Sequence, residues 1–453
     1  MTPPPHPSHR MWHPQFPFRP DRSPVFYGWV LTVITTLGVT ASIPGQTIGM
    51  AAFTDPLMAA LGLTRVEISA AYLVGTLVSG LLIPYGGRLI DRWGARRMMV
   101  SAALAMGLSL TVLAASDVIS AMLAGLAGER HERLFALTVV TAGFFLIRFW
   151  GQGMLTMASR NMVAKWFDRR RGMAVGVTGV ATAFAFAASP AVLNVLVERL
   201  GWRWTWLALA AVLVVVIASL AWLFARDNPE ECGLEMDGGP ADSSARPLHP
   251  DQVVHRDFTR EQALASLPFW VFTLSFGWYS LFVTGYTFHV VDIGGSIGFQ
   301  AAEILRLFLY AAVFAVLANL ACGWLSARMR VKYLLIAMNL MFALFALGPL
   351  LGDARLSATL IVIGSGIGGG LWSNLSGIVF ARFFGRAHLG AITGVFWATA
   401  VFGSALGPFL FGAAEAITSS YRLAFILGLA IPLTMCLPAL QADNPQQAEA
   451  LSD

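Results

Sequence analysis

Twelve apolar runs, each of about 20 residues or somewhat more, restrict how this chain can fold more than any other feature does. A helix of about 20 apolar residues crosses roughly 30 Å of hydrocarbon, so each run is long enough to span a bilayer. The runs lie approximately at residues 26–49, 66–90, 98–116, 134–161, 172–197, 202–225, 264–290, 300–326, 331–351, 355–380, 388–415 and 420–440. Soluble chains contain about one quarter charged residues, whereas this chain is 57% hydrophobic and 12% charged. We therefore predict an all-α membrane protein with twelve transmembrane helices.

One long polar segment divides the runs into two groups of six. It is rich in acidic residues, proline and glycine, and it separates the sixth run from the seventh. We predict an N-terminal six-helix bundle over 26–226, a linker over 227–262 and a C-terminal six-helix bundle over 263–441. Residues 1–25 are too rich in proline and histidine for a helix and lack the apolar core of a signal peptide, which predicts a disordered tail. Residues 442–453 are predicted to form a second tail.

Lysine and arginine are distributed unequally between the short loops. The loops after even-numbered runs carry thirteen of them and the loops after odd-numbered runs carry seven. Because positive residues are enriched in cytoplasmic loops, we predict that the even-numbered loops, both termini and the linker are cytoplasmic, in a bacterial inner membrane. The net charge of +5 needs no nucleic acid to explain it, since the cations lie in short loops rather than on one amphipathic face.

The two halves of the sequence repeat each other. AKWFDRRR at 164–171 returns as ARFFGRAH 217 positions later, and GRLIDRW at 87–93 returns as GWLSARM 236 positions later. Chance similarity of apolar helices would not place charged loop motifs at matching points. Two pseudo-symmetric bundles related as parallel repeats are the architecture that transporters use for alternating access.

The charged loop after the second run carries a recognisable pattern. It reads GGRLIDRWGARR, and we expect Gly94 to adopt a positive φ in a tight turn. The pattern GxxxDRxGxRR resembles the loop signature of the major facilitator superfamily, and the resemblance extends from about Tyr27 to Leu440. It implies the major facilitator fold and a conformational gate in which the Asp91 carboxylate contacts the cytoplasmic end of the eleventh helix. The alternative is a plain anchor whose basic residues only set the topology. The predicted gate residues are Gly87, Asp91, Arg92, Gly94 and Arg96.

Three further motifs resemble one branch of that superfamily. FYGWVLTV in the first run, WFDRRRG after the fourth and NPEECGLEMDG after the sixth are similar to the bacterial monocarboxylate and oxalate/formate-type porters. The resemblance implies a carrier for a small organic anion, working by proton coupling or by exchange.

Arg148 is an isolated charge inside the fourth run. It lies 15 residues after Arg133 and 12 before Arg160, so it is roughly 18 Å or more from either charged neighbour along a helix. A lipid-facing arginine there would cost from about 2.5 to more than 10 kcal/mol, and Gln152 shares its helical face. We predict a cavity-lining arginine that binds an anion or takes part in proton coupling. The alternative is a buried arginine satisfied by carbonyl groups or by an ion pair within the bundle.

Arg148, Gln152 and Gly153 also resemble the RxxQG signature that proton-coupled members carry in the fourth helix. This sequence has one additional residue, so that it reads RxxxQG.

Two other groups of polar side chains are candidate site residues. Tyr279, Tyr286 and His289 recur along the seventh run and can hydrogen-bond a substrate, or else belong to the aromatic belt at a membrane interface. Glu303 and Arg306 are three residues apart in the eighth run. They can form a proton-coupling switch or an outer-leaflet salt bridge.

Several other functions are disfavoured. GSGIGG at 364–369 matches the dinucleotide pattern by letter, but it continues an apolar helix instead of opening a βαβ unit; its glycines are expected to permit close helix packing. No ATP-binding motif and no catalytic constellation occur, so we predict a transporter rather than an enzyme. We expect a monomer that binds a small anionic substrate, protons and the bilayer, but no nucleic acid, metal or cofactor. Efflux of hydrophobic drugs and a non-transporting membrane sensor remain the alternatives.

Overall fold

The structure, a computed structural model, describes residues 11–127, 131–239, 253–351 and 353–449. A helix occupies each of the twelve predicted runs, and the described part of the chain contains no strand, which confirms the all-α prediction. Eleven of the helices are long and apolar enough to cross a membrane, and the first is shorter. They are α1 Tyr27–Ala41, α2 Arg65–Trp93, α3 Ala95–Ala114, α4 Glu132–Trp166, α5 Arg171–Leu200, α6 Trp202–Phe224, α7 Leu267–Phe288, α8 Ala301–Leu325, α9 Val331–Leu347, α10 Ala354–Phe384, α11 Leu389–Thr418 and α12 Arg422–Gln441.

The first apolar run does not form one continuous helix. After α1 the chain continues as a 3₁₀ turn at Ile43–Gly45, a helical turn at Thr47–Met50 and a second 3₁₀ turn at Ala51–Phe53. Pro44 cannot continue the hydrogen bonding of α1, and Gly45 packs against α4 so closely that a Cβ there would collide with the Ile147 carbonyl oxygen. The break therefore follows from the sequence IPG and from contact with α4.

The chain divides into two compact units by its internal contacts. Unit 1 comprises Met1–Phe167 and Phe184–Pro240, and unit 2 comprises Asp168–Ala183 and Ala241–Asp453. The beginning of α5 thus groups with the second half of the chain. The cause is close backbone packing in unit 2, where a Cβ on Gly172 would lie 2.5 Å from the Gly323 carbonyl oxygen. Asn374 supports this contact, because its Nδ2 donates to the Gly172 carbonyl at 3.1 Å.

Two glycines, one within GSGIGG and one directly after it, pack α10 closely against α8, as the sequence predicts. A Cβ at Gly366 would lie 2.6 Å from the Ala311 carbonyl oxygen, and one at Gly370 would collide with the carbonyl of Ala315. Only glycine allows the two backbones to approach this closely. The motif GSGIGG lies inside a long helix, so it does not form the loop of a dinucleotide-binding site.

A further internal repeat, absent from our sequence prediction, follows the last helix of each half. RDNPEE begins at Arg226 after α6, and ADNPQQ begins at Ala442 after α12. The Asp227 carboxylate accepts from the backbone N–H of Arg96 at 2.8 Å. Asp443, its counterpart 216 positions later, forms ion pairs with two basic residues at the start of α9, Arg330 at 3.1 Å and Lys332 at 2.7 Å. Each aspartate therefore holds the loop after the second helix of its own half.

The predicted disordered tail is not observed for residues 11–25, which are held by side chains from other parts of unit 1. Residues 1–10 lie outside the described part of the chain. The indole ring of Trp12 lies 5.6 Å from the Arg96 guanidinium carbon and 5.5 Å from that of Arg97. Arg96 donates to the carbonyls of His13 and Phe16 at 3.2 and 3.1 Å. We call residues 11–18 the N-terminal segment.

The arginine that follows α6 holds the same segment from its other side. Buried Arg226 donates to the carbonyls of Pro14 and Phe16 and to the α6 carbonyl of Leu223. The proline-rich sequence indicates correctly that no helix forms, but it does not reveal that the carbonyls left free would be bound by buried arginines. The segment packs at the end of unit 1 where α2 ends and α3 begins, which we call the even-loop end.

The reactivity of the Cys232 thiol shows whether the N-terminal segment is bound in its place. Its thiol lies 3.9 Å from the Pro14 carbonyl oxygen, and burial raises the pKa of the Cys232 thiol to about 12. Since the thiolate is the reactive form, we expect slow maleimide labelling of Cys232 at neutral pH in a protein whose other cysteines are replaced by serine. Arg226→Ala releases the segment and is expected to raise the labelling rate about tenfold or more. Arg22→Ala, at an exposed arginine, is the control. Fast labelling of the parent protein would contradict this packing.

Candidate functional site

Two irregular segments of backbone meet inside unit 1. One is the break after α1, and the other is a π-helical segment of α4, Arg148–Leu155, whose sequence is RFWGQGML. A Cβ on Gly45 would lie 3.1 Å from the Cα of Gly151, so only a glycine at this position allows the two segments to touch. Irregular backbone within a span is tolerated where it lines a cavity or is covered by protein, and π-helical turns occur frequently at functional sites.

The π-helical segment explains the additional residue in RxxxQG. A π-helical turn is bonded from residue i to i+5, so it holds roughly one more residue than an α-helical turn. Arg148 and Gln152, four residues apart, lie on one side of α4 with the additional residue taken up in this turn. The Thr156 hydroxyl, just after this segment, donates to the Gly151 carbonyl at 3.2 Å, which satisfies a backbone group within the π-helical segment.

Arg148 projects from the first turn of this segment and is only 1% exposed. Its Nη1 donates to the Gly45 carbonyl at 3.2 Å and lies 3.4 Å from the Thr47 hydroxyl. The guanidinium carbon lies 5.3 Å from the centre of the Tyr72 ring, and the Tyr72 hydroxyl donates to Thr47 at 3.0 Å. One nitrogen of the guanidinium is therefore fixed by the break after α1.

The opposite edge of the same guanidinium has no partner. Nε and Nη2 of Arg148 are buried and make no hydrogen bond with the described residues, and no acidic side chain described in the structure forms an ion pair with Arg148. The alternative of an arginine satisfied by an internal ion pair is thus not observed, and carbonyl groups satisfy only Nη1. Nε–H and one Nη2–H point the same way, in the fork that matches the two oxygens of a carboxylate.

The same two backbone segments carry further polar atoms. The Oε1 of Gln152 is also buried without a partner, and the Nε2 of Gln46 bonds Ser42 at 3.1 Å and lies 3.5 Å from the Thr156 hydroxyl. Thr47 is exposed and Gln46 is half-buried. Thr47 in the break after α1 is therefore accessible, whereas the Arg148 side chain that it contacts is buried.

Unit 2 contains the aromatic residues that the sequence singled out on α7. The Tyr279 ring stacks on Phe342 with centroids 4.2 Å apart, and its centroid is 5.3 Å from that of Trp372. Tyr286 is 2% exposed and packs at 4.8 Å against Phe345 within a cluster of buried apolar residues. Tyr286 therefore serves as a core residue, whereas Tyr279 is half-buried.

His289 follows the end of α7 and binds other helices instead of projecting into open space. Its Nε2 lies 3.0 Å from the Pro408 carbonyl oxygen in α11, and the Tyr421 hydroxyl lies 3.3 Å from its Nδ1. A proline within a helix leaves a backbone carbonyl one turn earlier without its usual donor; the imidazole bonds the carbonyl of the proline itself. His289 therefore links the end of α7 to α11 and to Tyr421, the residue that precedes α12.

Glu303 and Arg306 do not form the predicted ion pair. The Glu303 carboxylate accepts from the backbone N–H of Gln300 at 2.9 Å, as part of a capping box at the start of α8. A glutamate at the third helical position is well placed for that bond, and the carboxylate is occupied by it. Arg306 is exposed, and within the described residues it has no acidic partner. The two side chains are therefore not paired with each other in this structure, and a coupling role for either of them stays a prediction.

The predicted gate residues lie at the even-loop end of unit 1. Gly94 has φ +88°, which confirms the expected turn, and its N–H bonds the Ile90 carbonyl at 2.9 Å. Asp91 is half-buried and Arg92 is exposed in the last turn of α2. Arg96 is buried and also donates to the α6 carbonyl of Trp222, so it holds helix ends and the N-terminal segment. A gating role for Asp91 stays a prediction.

Sequence reasoning found Arg148 and Gln152 but missed the residues that fix them. Gly45, Thr47 and Tyr72 were not among the predicted site residues. The available signal was the Pro-Gly pair inside the first apolar run, IPGQT at 43–47. Interrupted apolar segments of this kind point to binding sites in transporters.

Twelve helices in two related halves, with a broken helix and a buried arginine inside one unit, define the class of secondary membrane transporters. A model of the Major Facilitator Superfamily matches residues 29–408, and the chain belongs to that family. Its members move substrates by alternating access and are transporters, not enzymes. A stretch of 122 residues is also 23% identical to an MFS-type transporter from Gibberella moniliformis (strain M3125 / FGSC 7600); it covers 27% of this chain but only 25% of that protein.

Solved transporter structures share the fold at low sequence identity. The proton:xylose symporter XylE is 14% identical with a TM-score of 0.65, covering 94% of this chain and 99% of that one. The human organic anion transporter MFSD10 is 15% identical with a TM-score of 0.59, covering 92% and 100%. A bacterial homologue of the iron transporter ferroportin is 13% identical with a TM-score of 0.65, covering 91% and 98%. These three proteins carry different substrates, so the fold alone does not identify the cargo here.

Proposed function

We propose that this protein carries a small organic anion of the monocarboxylate type across a bacterial inner membrane, with its even-numbered loops in the cytoplasm. The observation that carries the proposal is the free edge of Arg148. A buried cation whose Nε and Nη2 lack partners is costly unless a ligand supplies both the negative charge and the acceptors. A carboxylate supplies both.

The arrangement favours one planar carboxylate over other anions. Nη1 is held by Gly45 and Thr47, which fixes the plane of the guanidinium and directs the Nε and Nη2 edge at a single acceptor group. Hydrogen bonds that involve a charged group contribute about 1.5–3 kcal/mol each, so two of them are sufficient for selective binding. Gln152 and Thr47 supply polar groups for a second substituent, such as a hydroxyl or keto group.

The structural relatives agree with this proposal without establishing it. One of them is named as an organic anion transporter, which shows that a fold similar to this one accommodates such cargo. The symporter and the iron transporter show that it accommodates other cargo equally well. The choice of a carboxylate therefore depends on the residues around Arg148.

Transport into proteoliposomes tests the proposal directly. We expect the purified protein to take up radiolabelled pyruvate, lactate or oxalate when the same unlabelled acid is present inside the vesicles. Radiolabelled xylose is the neutral control and should not accumulate. If none of the three acids moves and none raises the melting temperature of the protein, the proposed substrate class is wrong.

Efflux of hydrophobic drugs is a second candidate, because unit 2 presents a group of aromatic rings. Tyr279 and Trp372 are half-buried, and the centroid of Trp372 lies 6.4 Å from that of Trp397. Such surfaces bind planar apolar compounds. Vesicles loaded with ethidium separate the two candidates, since dye efflux without movement of organic acids would favour the second.

A further inference from the structure

We propose that the short helix Ser116–Ala127 is an interfacial anchor, which inserts its exposed apolar face into the leaflet on the odd-loop side of the bilayer. The partner is the lipid itself, at the level where the headgroups meet the acyl chains. The helix lies between α3 and α4 in unit 1, and the second half has no counterpart, since residues 348–353 alone connect α9 to α10. The anchor does not depend on what the carrier transports.

The helix buries its small and polar side chains and exposes its large apolar ones. The buried side chains are at most 4% exposed and belong to Ser116, Ser120 and Ala124. The exposed side chains are Val118 at 61%, Met122 at 69% and Leu126 at 78%. A helix whose outer face meets water has the opposite arrangement. Large apolar side chains that point outward are favourable where they enter a membrane.

The exposed face of this helix continues a face of α3. Ala115, between the two helices, departs from helical geometry with φ −104° and ψ 11°. The Ala115 N–H still bonds the Thr111 carbonyl, and the Ile119 N–H bonds the Ala115 carbonyl, so helical bonding continues across the bend. Exposed or half-buried residues recur at intervals of four and three, at Leu104, Leu108, Thr111, Ala115, Val118 and Met122. Because α3 is long and apolar enough to cross a membrane, the helix extends a surface that faces lipid.

Ion pairs lie at both ends of the apolar stretch. Asp117 at the start of the helix pairs with Arg203 in the first turn of α6. After the helix the sequence reads GERHER, and its last residue, Arg133, pairs with Glu67 at 2.7 Å. Residues 118–127 between these pairs carry no charge. A helix of about 18 Å is too short to cross about 30 Å of hydrocarbon, so this composition favours a helix that lies along the membrane surface.

The start of α4 places the helix at the depth of the headgroups. The helix packs beside the first part of α4, Glu132–Ile147. Glu132 precedes Arg148 by about 24 Å along α4, whereas the hydrocarbon extends only about 15 Å from the centre of the bilayer. Since Arg148 is expected near that centre, the start of α4 lies among the headgroups, and so does the helix beside it. Interfacial helices bury their apolar face about 5–10 Å into the boundary between headgroups and acyl chains.

The alternative occupant of this face is a second copy of the chain. Stable protein interfaces use roughly 20–30 residues on each side, whereas this face offers three large side chains from one short helix. Insertion into lipid requires no minimum area, because its strength scales with the apolar area that is buried. The size of the face therefore favours lipid.

Depth measurements with spin labels test the anchor. The full chain, with its three cysteines replaced by serine, is labelled at Met122→Cys and reconstituted into vesicles of phosphatidylcholine and phosphatidylglycerol. Collisions of the label with oxygen, which concentrates among acyl chains, are compared with those of a water-soluble nickel chelate. Leu108→Cys in α3 and Glu132→Cys are the references for lipid and water, since both positions are exposed.

We expect the ratio of oxygen to nickel collisions at Met122 to exceed that at Glu132 by about fivefold or more and to lie below that at Leu108. An equal ratio at Met122 and Glu132 places the face in water and overturns the proposal. Spin–spin broadening at Met122 that persists when the protein is diluted in lipid shows a second copy on the face, which also overturns it.

A charge on the exposed face tests the physical cause. Met122→Asp is expected to withdraw the helix from the leaflet, because a carboxylate is costly among acyl chains. A label at Leu126→Cys should then collide with the nickel chelate about threefold more often or more. His131→Asp adds the same charge at an exposed position after the helix and is the matched control. Unchanged collisions at Leu126 in the Met122→Asp protein, at normal melting temperature, contradict insertion.

Discussion

Arg148→Met is expected to abolish organic-acid binding and transport while leaving the protein at least as stable as the parent. The substitution removes a buried positive charge together with two unsatisfied donor nitrogens, Nε and Nη2, and a buried donor costs about 1–3 kcal/mol when it is left without a partner. It also removes the bonds from Nη1 to Gly45 and Thr47, which offsets part of the gain. We therefore expect a melting temperature equal to or above that of the substrate-free parent.

Arg148→Lys separates the charge from the geometry of the fork. Lysine retains the positive charge but cannot make two parallel bonds to one carboxylate, so we expect affinity to fall by about tenfold or more. The control is Arg355→Gln, at an exposed arginine in the first turn of α10, which should transport normally. Binding is followed by the rise in melting temperature with pyruvate. A strongly destabilised Arg148→Met protein, or normal transport by it, would show that the arginine is structural.

The sequence predicted the helices well because each span must be long and apolar on its own. The strength of that rule is visible in α10, where a stretch of seven residues with five glycines remains helical in agreement with the hydropathy. The burial of Arg148 was also predictable. An isolated charge between Arg133 and Arg160 is energetically costly in contact with lipid, so it must lie in a cavity lined by protein.

What the sequence did not predict depends on contacts between distant segments. The N-terminal segment is ordered because Arg96 and Arg226 donate to its carbonyls, and neither partner is visible from local composition. The π-helical segment packs against the break after α1, a contact that the local sequence does not show. Glu303 was assigned to Arg306 by spacing alone, although a competing local bond at the helix start was available. Spacing gives neighbours on a helix but does not decide between partners.

The site residues also differ in how far the sequence alone reveals their importance. Arg148 stands out in any hydropathy profile, whereas the importance of Gly45 arises only from its contact with α4. A glycine that supports a site in this way is open to a direct test, because the substitution adds a single methyl group and changes no charge.

Gly45→Ala is expected to destabilise unit 1 and to remove organic-acid binding together. The added methyl group would collide with the Ile147 carbonyl oxygen and lie 3.1 Å from the Cα of Gly151. Both neighbours belong to the backbone of α4, so neither can rotate away. Overpacking of this kind costs about 1–3 kcal/mol, and any shift of the break after α1 also moves the carbonyl that holds Nη1 of Arg148.

The matched control for Gly45→Ala is Gly125→Ala, in the short helix Ser116–Ala127. No atom lies within 4 Å of a Cβ placed at Gly125, so alanine there should be neutral or should stabilise by about 0.5–1 kcal/mol through helix propensity. Melting temperature and pyruvate binding are measured for both variants beside Arg148→Met. If Gly45→Ala loses stability but keeps binding, the break after α1 contributes only to packing. Because Arg148→Met is expected to lose binding without losing stability, the pair of variants separates the anion-binding group from the backbone that positions it.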